Sequence, residues 1–368
     1  MTTFSGKVFL QQRVLPAYRV DFFETLAGKC EGGLIVFAGE PDQEEAVLQG
    51  KPLEKAERIR ARNVRWLRGR FAIDLQPDLV HALQAADPDA LILEANPRYV
   101  SNRSAMKWMA DHGRPVLGWG LGLPGGERSV MSPRQSIRDR YVRRFQGLIA
   151  YSRQGAREYR AVGAPAERVF VAPNSVTKAP ELMPTKHRQT AERVRLLFVG
   201  RLQPRKRVDL LMQACAAMDE NLRPELVIVG DGPARRSLEE LAQEIFPSAQ
   251  FAGALEGQPL EQEFLGADLF VLPGTGGLAI QQAMAHALPI IAAEGDGSQR
   301  DLVQSENGWL VRPGDLSDLE RVLAEALEQP ERLRIMGEAS FRAVQSSFNI
   351  DNMAAVFVDA LHAVTEED

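Results

Sequence analysis

The sequence has few of the residues on which several common classes of protein depend. Its 368 residues include only two cysteines, Cys30 and Cys215, too few and too far apart for a disulfide framework or a cysteine-based metal site. No apolar run approaches the roughly 18 residues that a membrane-spanning helix needs. The N-terminal residues lack the basic-then-apolar layout of a secretory signal. We therefore expect a protein of the reducing cytoplasm.

Metal-binding and nucleophilic motifs are also missing. The five histidines form no cluster, no convincing Asp-x-Asp metal motif is present, and no serine–histidine pair stands out. These absences predict chemistry that uses neither a metal ion nor a cofactor. Aromatic residues make up 7% of the chain and are sparse among the arginines, so nucleic acid is not the expected partner.

The net charge of −5 conceals an asymmetry between the two halves. Residues 1–175 hold 26 Lys and Arg against 19 Asp and Glu, a net charge of +7, and the remainder has a net charge of −12. The basic residues concentrate at Lys51–Arg70 and Arg134–Arg160. Two interpretations stay open: solvated helix faces, or contact with an anionic membrane surface or a phosphorylated acceptor.

Strand and helix patterns alternate along the chain, which favours an α/β fold with mainly parallel sheets. The length suits two domains, each with its own core. We place them at residues 1–177 and 194–345, joined by a linker at 178–193 and followed by a final helix at 346–368. The predicted strands are Lys7–Leu10, Gly33–Ala38, Leu91–Glu94, Pro115–Trp119, Leu148–Tyr151, Val169–Val171, Arg195–Val199, Leu226–Val229, Gln250–Phe251, Leu269–Leu272, Pro289–Ala292 and Gly308–Val311.

The most informative local feature is the segment Leu196–Lys206. An apolar strand ends at Gly200, a helical pattern follows, and the loop between them carries Arg201 and Lys206. Two cations beside a helix N-terminus form an anion site, because the helix end adds unpaired N–H groups and partial positive charge. The segment Glu225–Pro233 repeats the order of strand, glycine and helix. These two units predict a nucleotide-diphosphate site, the alternative being that the two cations form a surface ion pair.

Eight short segments, in order, resemble the donor-binding domain of family 4 glycosyltransferases. They are Gly200–Lys206, Val229–Pro233, Phe251–Gly253, Ala267–Pro273, Gly277–Leu278, Ala283–Ala285, Leu288–Ile291 and Asn307–Val311. The resemblance covers roughly residues 145–330. It implies the GT-B fold, in which two Rossmann-like domains face each other across a cleft and the final helix returns to the first domain.

The resemblance also implies a function. A sugar would pass from a nucleotide-diphosphate donor to an acceptor hydroxyl with retention at the anomeric carbon, in polysaccharide or glycolipid synthesis. The partners would be the nucleotide-sugar and a sugar or lipid-linked acceptor, with peripheral membrane contact through the arginine-rich segments.

The resemblance assigns roles to individual residues of the second domain. Arg201 and Lys206 would hold the diphosphate and act in catalysis by offsetting the charge that grows on the leaving group. Backbone N–H groups at Gly277 and Leu278, at a helix start, would face the same phosphates. The full set of expected donor-binding residues is Gly200, Arg201, Lys206, Gly230, Gly253, Gly274, Thr275, Gly276, Gly277, Leu278 and Gln282.

This chain departs from the family pattern at three positions. Members usually carry two glutamates eight positions apart, where this chain has Gly274 and Gln282. Relatives often place a histidine near the position of Leu121. The Gln282 amide can bond ribose hydroxyls, but sugar contacts must come from backbone, from Thr275 or from elsewhere. Glu294–Ser298 is one source, if it is not a plain turn.

The first domain is expected to bind the acceptor. Tyr18, Arg19, Trp119 and Gly120 are the candidate contacts, with packing and surface charge as the other explanation for Tyr18 and Arg19. Glu94 is the candidate catalytic base, because it ends a buried strand.

Alternatives remain for these roles and for the function as a whole. Front-face transfer needs no protein base, so Glu94 need not be catalytic. It could instead form a salt bridge to Arg98 or Arg103. His112 is expected to end a helix rather than to act in catalysis. Because of the three departures, a non-catalytic nucleotide-sugar-binding protein is also possible. The same scaffold could also serve a nucleotide-sugar epimerase, although no acid–base pair for that reaction is evident.

Overall fold

Alternating buried strands and amphipathic helices form two separate parallel sheets. The computed structural model describes residues 2–41, 51–66, 73–123, 133–185 and 193–365. The chain divides into a first unit, Met1–Val176 with Ile350–Asp368, and a second unit, Thr177–Asn349.

The first unit is built on a seven-stranded parallel sheet. Its strands, with a separate antiparallel pair formed by β4 and β5, are β1 (Val8–Val14), β2 (Leu34–Gly39), β3 (Glu57–Ala61), β4 (Val64–Trp66), β5 (Ile73–Leu75), β6 (Ala90–Glu94), β7 (Val116–Gly120), β8 (Gly147–Ala150) and β9 (Val169–Val171). The strand order β3-β2-β1-β6-β7-β8-β9 changes direction between β1 and β6. Ligands of open α/β sheets bind outside the carboxyl ends of the strands at such a switch point.

Five helices connect these strands along the chain. They are α1 (Val20–Ala27), α2 (Leu79–Ala86), α3 (Ser101–Asp111), α4 (Pro133–Val142) and α5 (Arg153–Ala161). Helix α5 begins where the Ser152 hydroxyl accepts a hydrogen bond of 3.1 Å from the Gly155 N–H, which satisfies one of the free donors of its first turn. All six residues of β2 are buried, as expected for a strand covered on both faces.

The second unit has a six-stranded parallel sheet of order β12-β11-β10-β13-β14-β15. This is the doubly wound order, and its direction changes between β10 and β13. Its elements are β10 (Arg195–Val199), α6 (Val208–Ala217), β11 (Glu225–Val229), α7 (Arg235–Ile245), β12 (Gln250–Gly253), α8 (Gln258–Gly266), β13 (Leu269–Leu272), α9 (Leu278–Ala285), β14 (Ile290–Ala293), α10 (Ser298–Leu302), β15 (Gly308–Val311), α11 (Leu316–Leu327) and α12 (Pro330–Ser346).

The last helix, α13 (Ile350–Thr365), packs on the first unit although it follows the second in sequence. Its Phe357 is fully buried, with ring centroids 4.9 Å from Phe22 of α1 and 5.0 Å from Trp119 of β7. The helix therefore contributes to the core of the first unit.

One expectation about the basic segments is wrong. Lys51–Arg70 does not form a helix face in the part that the structure describes, because Glu57–Ala61 and Val64–Trp66 are strands. Arg58 and Arg60 therefore lie on an edge strand, β3. The Arg58 guanidinium donates to Glu40 at 2.8 Å. Arg134–Arg160 does include helices α4 and α5.

The expectations about cysteine and membrane segments can also be compared with the structure. Cys30 and Cys215 are both buried and unpaired, as expected. Within the described ranges, no helix has the length and apolarity needed to cross a bilayer.

Candidate functional site

Two loops meet at the switch point of the second sheet, one after β10 and one after β13. The Lys206 ammonium donates to the Thr275 carbonyl at 2.6 Å, and the Arg205 guanidinium donates to the Thr275 hydroxyl at 2.9 Å. The Thr275 N–H donates to the Arg205 carbonyl at 3.2 Å. The predicted loop cation Lys206 thus contacts the predicted Gly274–Leu278 loop directly. Arg205 was missed in the sequence because its neighbours at 201 and 206 matched the family pattern.

Glycines let these two loops approach each other. A Cβ atom built on the buried Gly274 would overlap the backbone of Arg205 and Lys206. At Gly276, where φ is +148°, a Cβ would lie 2.5 Å from the Lys206 Nζ. A side chain at position 274, which the family resemblance aligns with a glutamate, would therefore require this loop pair to shift in the present structure.

Three further predicted glycines form an adjoining surface of bare backbone. Gly200, Gly230 and Gly253 lie at the carboxyl ends of β10, β11 and β12. The Gly230 N–H donates to the Gly253 carbonyl at 2.7 Å, and a Cβ on Gly230 would overlap the Gly200 carbonyl. Glycine at position 230 thus lets the ends of these strands pack closely, next to Lys206, whose side chain lies near Gly200.

Helix α9 starts at the end of the second loop. Gly277 precedes its first residue, Leu278, so the unpaired N–H groups of its first turn lie beside the loop. Gln282, one turn along, is half-buried, and its carbonyl contacts the His286 Nδ1 at 2.7 Å. The structure therefore brings Lys206, Gly274–Leu278 and the start of α9 together.

Burial changes the electrostatics of Lys206. Removal from water, together with the neighbouring Arg205 charge, lowers the pKa of Lys206 to about 8, and Asp296 opposes this shift. Arg201 has an exposed side chain that forms no hydrogen bond or ion pair with the described residues. The alternative interpretation, a surface ion pair formed by Arg201 or Lys206, is thus not seen in the described chain.

Gln299 is a second residue that the sequence did not reveal. Its side chain is fully buried, and its amide Nε2 donates to the Gly276 carbonyl at 2.6 Å. Its Oε1 accepts no hydrogen bond from the described residues. No motif marks a lone glutamine, and only its position after β14 could have indicated this contact.

The segment Glu294–Ser298 has features of both interpretations, a plain turn and a part of the donor site. Glu294 forms an ion pair of 2.7 Å with Arg300. The Asp296 carboxylate accepts hydrogen bonds from the Ser298 N–H and hydroxyl at 3.1 and 2.5 Å, which makes a turn. Its charge nevertheless acts on Lys206, so the segment borders the cation loop.

In the first unit, Glu94 lies at the carboxyl end of β6, next to the switch point. Its Oε1 accepts from the Arg13 N–H at 3.1 Å, and its carboxylate also bonds the Tyr99 hydroxyl. Desolvation raises the pKa of Glu94. The cations whose charges oppose this are Arg13 and Arg19, whereas Arg103 forms no ion pair within the described chain. Of the two alternative partners for Glu94, Arg98 and Arg103, the structure thus excludes an ion pair with Arg103.

Arg19 lies nearby in an aromatic surround. Its side chain is 3% exposed, and its guanidinium carbon lies 4.4 Å from the centroid of the Trp119 ring. One nitrogen, Nη2, donates to the Tyr151 hydroxyl at 3.3 Å, while Nη1 is buried with no partner among the described residues. Burial raises the pKa of Tyr151 to about 12. Arg19 is therefore not the surface charge that sequence alone allowed.

The other predicted acceptor-side residues differ in accessibility. Tyr18 is 45% exposed, whereas Trp119 is 1% exposed and can act only by supporting its neighbours. Gly120 ends β7, and a Cβ there would lie 2.9 Å from the Tyr159 hydroxyl.

Neither Leu121 nor His112 places an imidazole where relatives often carry a histidine. Leu121 is 54% exposed just after β7. His112 caps the end of α3 and stacks on Trp108 at 4.2 Å. No three of the described His, Cys, Asp and Glu side chains are grouped so that they could hold a metal ion.

Comparison with protein families gives a match within the second unit. Residues 181–342 match the model of the family described as glycosyl transferases group 1. Among curated proteins, sulfoquinovosyl transferase SQD2 of Arabidopsis thaliana is 32% identical over 156 residues, which are 40% of this chain and 29% of that protein. A GDP-mannose-dependent alpha-mannosyltransferase of Mycolicibacterium smegmatis is 43% identical over 109 residues, or 29% of this chain and 27% of that protein. This chain thus spans less than a third of either relative.

Solved structures match both units. Anabaena Alr3699/HepE in complex with UDP superposes with a TM-score of 0.73 and 16% identity, covering 98% of this chain and 99% of that one. Sucrose-phosphate synthase from Thermosynechococcus elongatus gives a TM-score of 0.71 at 20% identity, covering 95% and 96%. The fold is therefore GT-B, as expected, with two Rossmann-like α/β domains.

Proposed function

We infer that this chain, whose residues 181–342 match the model described as glycosyl transferases group 1, is a glycosyltransferase that moves a sugar from a nucleotide-diphosphate donor to an acceptor hydroxyl. The observation that carries this proposal is the paired loop at the switch point of the second sheet. It combines a half-buried lysine, an exposed arginine, bare glycine backbone and a helix N-terminus. These are the groups that bind a diphosphate.

The donor phosphates would take the place of the Thr275 carbonyl as the partner of Lys206. An ammonium that now donates to a neutral carbonyl at 2.6 Å gains a stronger partner in a phosphate oxygen, because both groups are then charged. Arg201, exposed on the same loop after β10, would supply the second cation. As the glycosidic phosphate bond breaks, both cations stabilise the negative charge that develops on the leaving diphosphate.

The donor sugar must be held without the glutamate that relatives carry. Because a Cβ at Gly274 would overlap the neighbouring backbone, we propose that Thr275, the backbone of Gly276 and the Glu294–Ser298 turn contact the sugar, while the N–H groups of Gly277 and Leu278 face the phosphates. The Gln282 amide would bond the ribose hydroxyls. The donor nucleotide stays open between at least two bases: the HepE structure holds UDP, and the mannosyltransferase relatives are GDP-mannose-dependent.

We further propose retention at the anomeric carbon by front-face attack. In that reaction the departing phosphate oxygen takes the proton of the acceptor hydroxyl, so no protein base is required. Glu94, whose pKa is raised by desolvation, would then orient the acceptor together with Tyr18 and Arg19. The unpartnered Arg19 Nη1 supplies a donor for an acceptor oxygen. Polysaccharide or glycolipid synthesis, at the cytoplasmic side of a membrane, is the setting that we propose.

A non-catalytic nucleotide-sugar-binding protein is the second candidate, supported by the lack of space at Gly274. The decisive experiment is turnover: the protein is incubated with labelled UDP- and GDP-sugars and with a membrane-lipid extract, and products are identified by mass spectrometry. We expect transfer by the native chain and none by Arg201→Ala/Lys206→Ala. Binding of a nucleotide-sugar without transfer or hydrolysis would favour the binding protein and contradict the enzyme.

A further inference from the structure

The first unit carries a second basic site, distant from the residues discussed so far. A groove of about 350 Å³ runs between α3 and the turn that joins α4 to β8. Four cationic side chains line it: Arg103, Lys107, Arg114 and Arg144. Within the described residues, no Asp or Glu is part of its lining.

The four cations are not equivalent. Lys107 is paired with Asp111 at 2.7 Å, and Arg114 is paired with Asp87. The side chains of Arg103 and Arg144 are instead exposed and have neither a carboxylate nor a hydrogen-bond partner among the described residues. The groove therefore presents two uncompensated guanidinium groups, which equal in charge the dianion of a phosphate monoester rather than a single carboxylate.

The floor of the groove is apolar. Met106 and Val116 are 7% and 3% exposed, and Ala110 lies beside them. At the rim, the Gln146 Oε1 accepts from the Val116 N–H at 2.8 Å, which leaves the amide NH2 group free to donate to a ligand. Cations and an amide donor around an apolar floor suit a ligand with a phosphate on an apolar body.

The position of the groove separates it from the candidate catalytic residues. Val116 is the first residue of β7 and Gln146 immediately precedes β8, so the groove opens at the amino ends of these strands. Glu94 and Gly120 lie at the carboxyl ends of β6 and β7. The five residues of β7 put about 15 Å between the two edges.

We propose that this groove is a separate binding site for a phosphate-bearing amphiphile, with Arg103 and Arg144 on the phosphate and Met106 and Val116 under the apolar part. The phosphate could belong to a lipid headgroup in a membrane or to a diffusible phosphate ester, since both offer the same chemistry. The proposal does not depend on the glycosyltransferase activity.

Two variant pairs test the site, each lowering the net charge by two. Arg103→Gln/Arg144→Gln removes the uncompensated cations of the groove. Lys178→Gln/Arg236→Gln is the matched control, because both side chains are exposed and lie outside the groove and outside the two arginine-rich segments. Both pairs are made in a chain that also carries Arg201→Ala/Lys206→Ala, so that the proposed donor site does not bind the probes.

Binding is measured with two probes: phosphatidylcholine vesicles with and without phosphatidic acid, by sedimentation, and soluble dihexanoyl phosphatidic acid, by calorimetry. We expect the groove pair to bind at least about tenfold more weakly than the control pair. Loss with both probes would assign a diffusible ligand, and loss with vesicles alone would assign a membrane headgroup. The proposal is overturned if neither probe binds the unsubstituted groove, or if both variant pairs lose binding equally.

Discussion

At the scale of single residues, Lys206 connects the two loops of the proposed donor site. It donates to Thr275 while remaining half-buried beside Arg205. Because desolvation and a like charge both disfavour the ammonium, the pKa of Lys206 falls to about 8. A lysine with this pKa is charged and able to hold a diphosphate below about pH 8, and it loses that charge as the pH rises further.

This shift predicts a pH-dependent donor affinity. The nucleotide-sugar affinity of the native protein should be constant from about pH 6.5 to 7.5 and then fall, by up to tenfold for each pH unit above about 8. Calorimetric titrations across this range measure it. In Lys206→Arg the fall should disappear, because arginine keeps its charge. A native affinity that stays constant to about pH 10 would contradict the combination of a lowered Lys206 pKa and a contact of that ammonium with the diphosphate.

Gly274 predicts a result opposite to the one that family resemblance suggests. Restoring the family acid in Gly274→Glu should weaken donor binding, and Gly274→Ala should lower the free energy of unfolding by about 1–3 kcal/mol, because a Cβ overlaps the Arg205 and Lys206 backbone. Gly28→Ala is the control, since its nearest neighbour would lie at 3.5 Å. Urea unfolding and donor titration test both effects, and stronger donor binding by Gly274→Glu would refute the packing argument.

The residue scale also shows what the sequence could and could not predict. Two apolar strands are each followed by a glycine, Gly200 or Gly230, and Lys206 lies in the loop after the first. This local pattern was enough to predict that these residues lie at one edge of the sheet. The contact of Lys206 with Thr275 joins residues 69 positions apart, and local pattern does not encode it. Similarly, nothing near Arg19 in sequence indicates that Trp119 covers its guanidinium.

At the scale of elements, α10 supports the second loop through one amide. Gln299 lies fully buried on this helix and donates to the Gly276 carbonyl at 2.6 Å. A buried carbonyl that loses its donor carries a desolvation penalty of about 1–3 kcal/mol. Without this hydrogen bond the loop would populate other conformations, and the conformation that binds the diphosphate would be less populated.

Gln299→Leu therefore tests the support that α10 gives. The substitution keeps the volume of the side chain but removes the hydrogen bond, and we expect donor affinity to fall about tenfold. Gln304→Leu, at an exposed position after the same helix, should leave the affinity unchanged. Equal donor affinity in native and Gln299→Leu protein would contradict this role.

Helix α13 predicts a stability effect confined to the first unit. Phe357 packs on Phe22 and Trp119, so Phe357→Ala should lower the free energy of unfolding by about 3–5 kcal/mol. The exposed Asp359→Ala substitution on the same helix is the control. Denaturant unfolding measures both, and an effect of Phe357→Ala no larger than that of the control would show that α13 contributes little to this core.

Elements were easier to predict from sequence where strands are fully buried. Continuous apolar runs such as Leu34–Gly39 and Leu269–Leu272 could be recognised by composition alone. The edge strand Glu57–Ala61 is polar and half-exposed, and its arginines suggested a solvated helix. Its pairing with β2 decides its conformation, and that is a non-local contact.

At the scale of the whole molecule, both units have a doubly wound parallel sheet, and in each the order of the strands reverses beside the first strand. The second unit places cations and bare backbone at that point, whereas the first places Glu94, Arg19 and aromatic rings there. One fold thus supplies an anion site and a mixed polar and aromatic site, as a nucleotide-sugar and a hydroxyl acceptor would require.

The central claim is that the second unit binds a nucleotide-diphosphate sugar through Arg201 and Lys206. Calorimetric titration of the native chain with UDP-, GDP-, ADP- and dTDP-sugars tests it most directly. Arg201→Ala/Lys206→Ala is the test variant, and Lys178→Ala/Arg236→Ala, at exposed positions of the same unit, is the matched control. We expect one nucleotide class to bind and the test variant to bind it at least about 100-fold more weakly, with the control unchanged. Binding of none of the four by the native chain, or equal binding by both variants, would contradict the account.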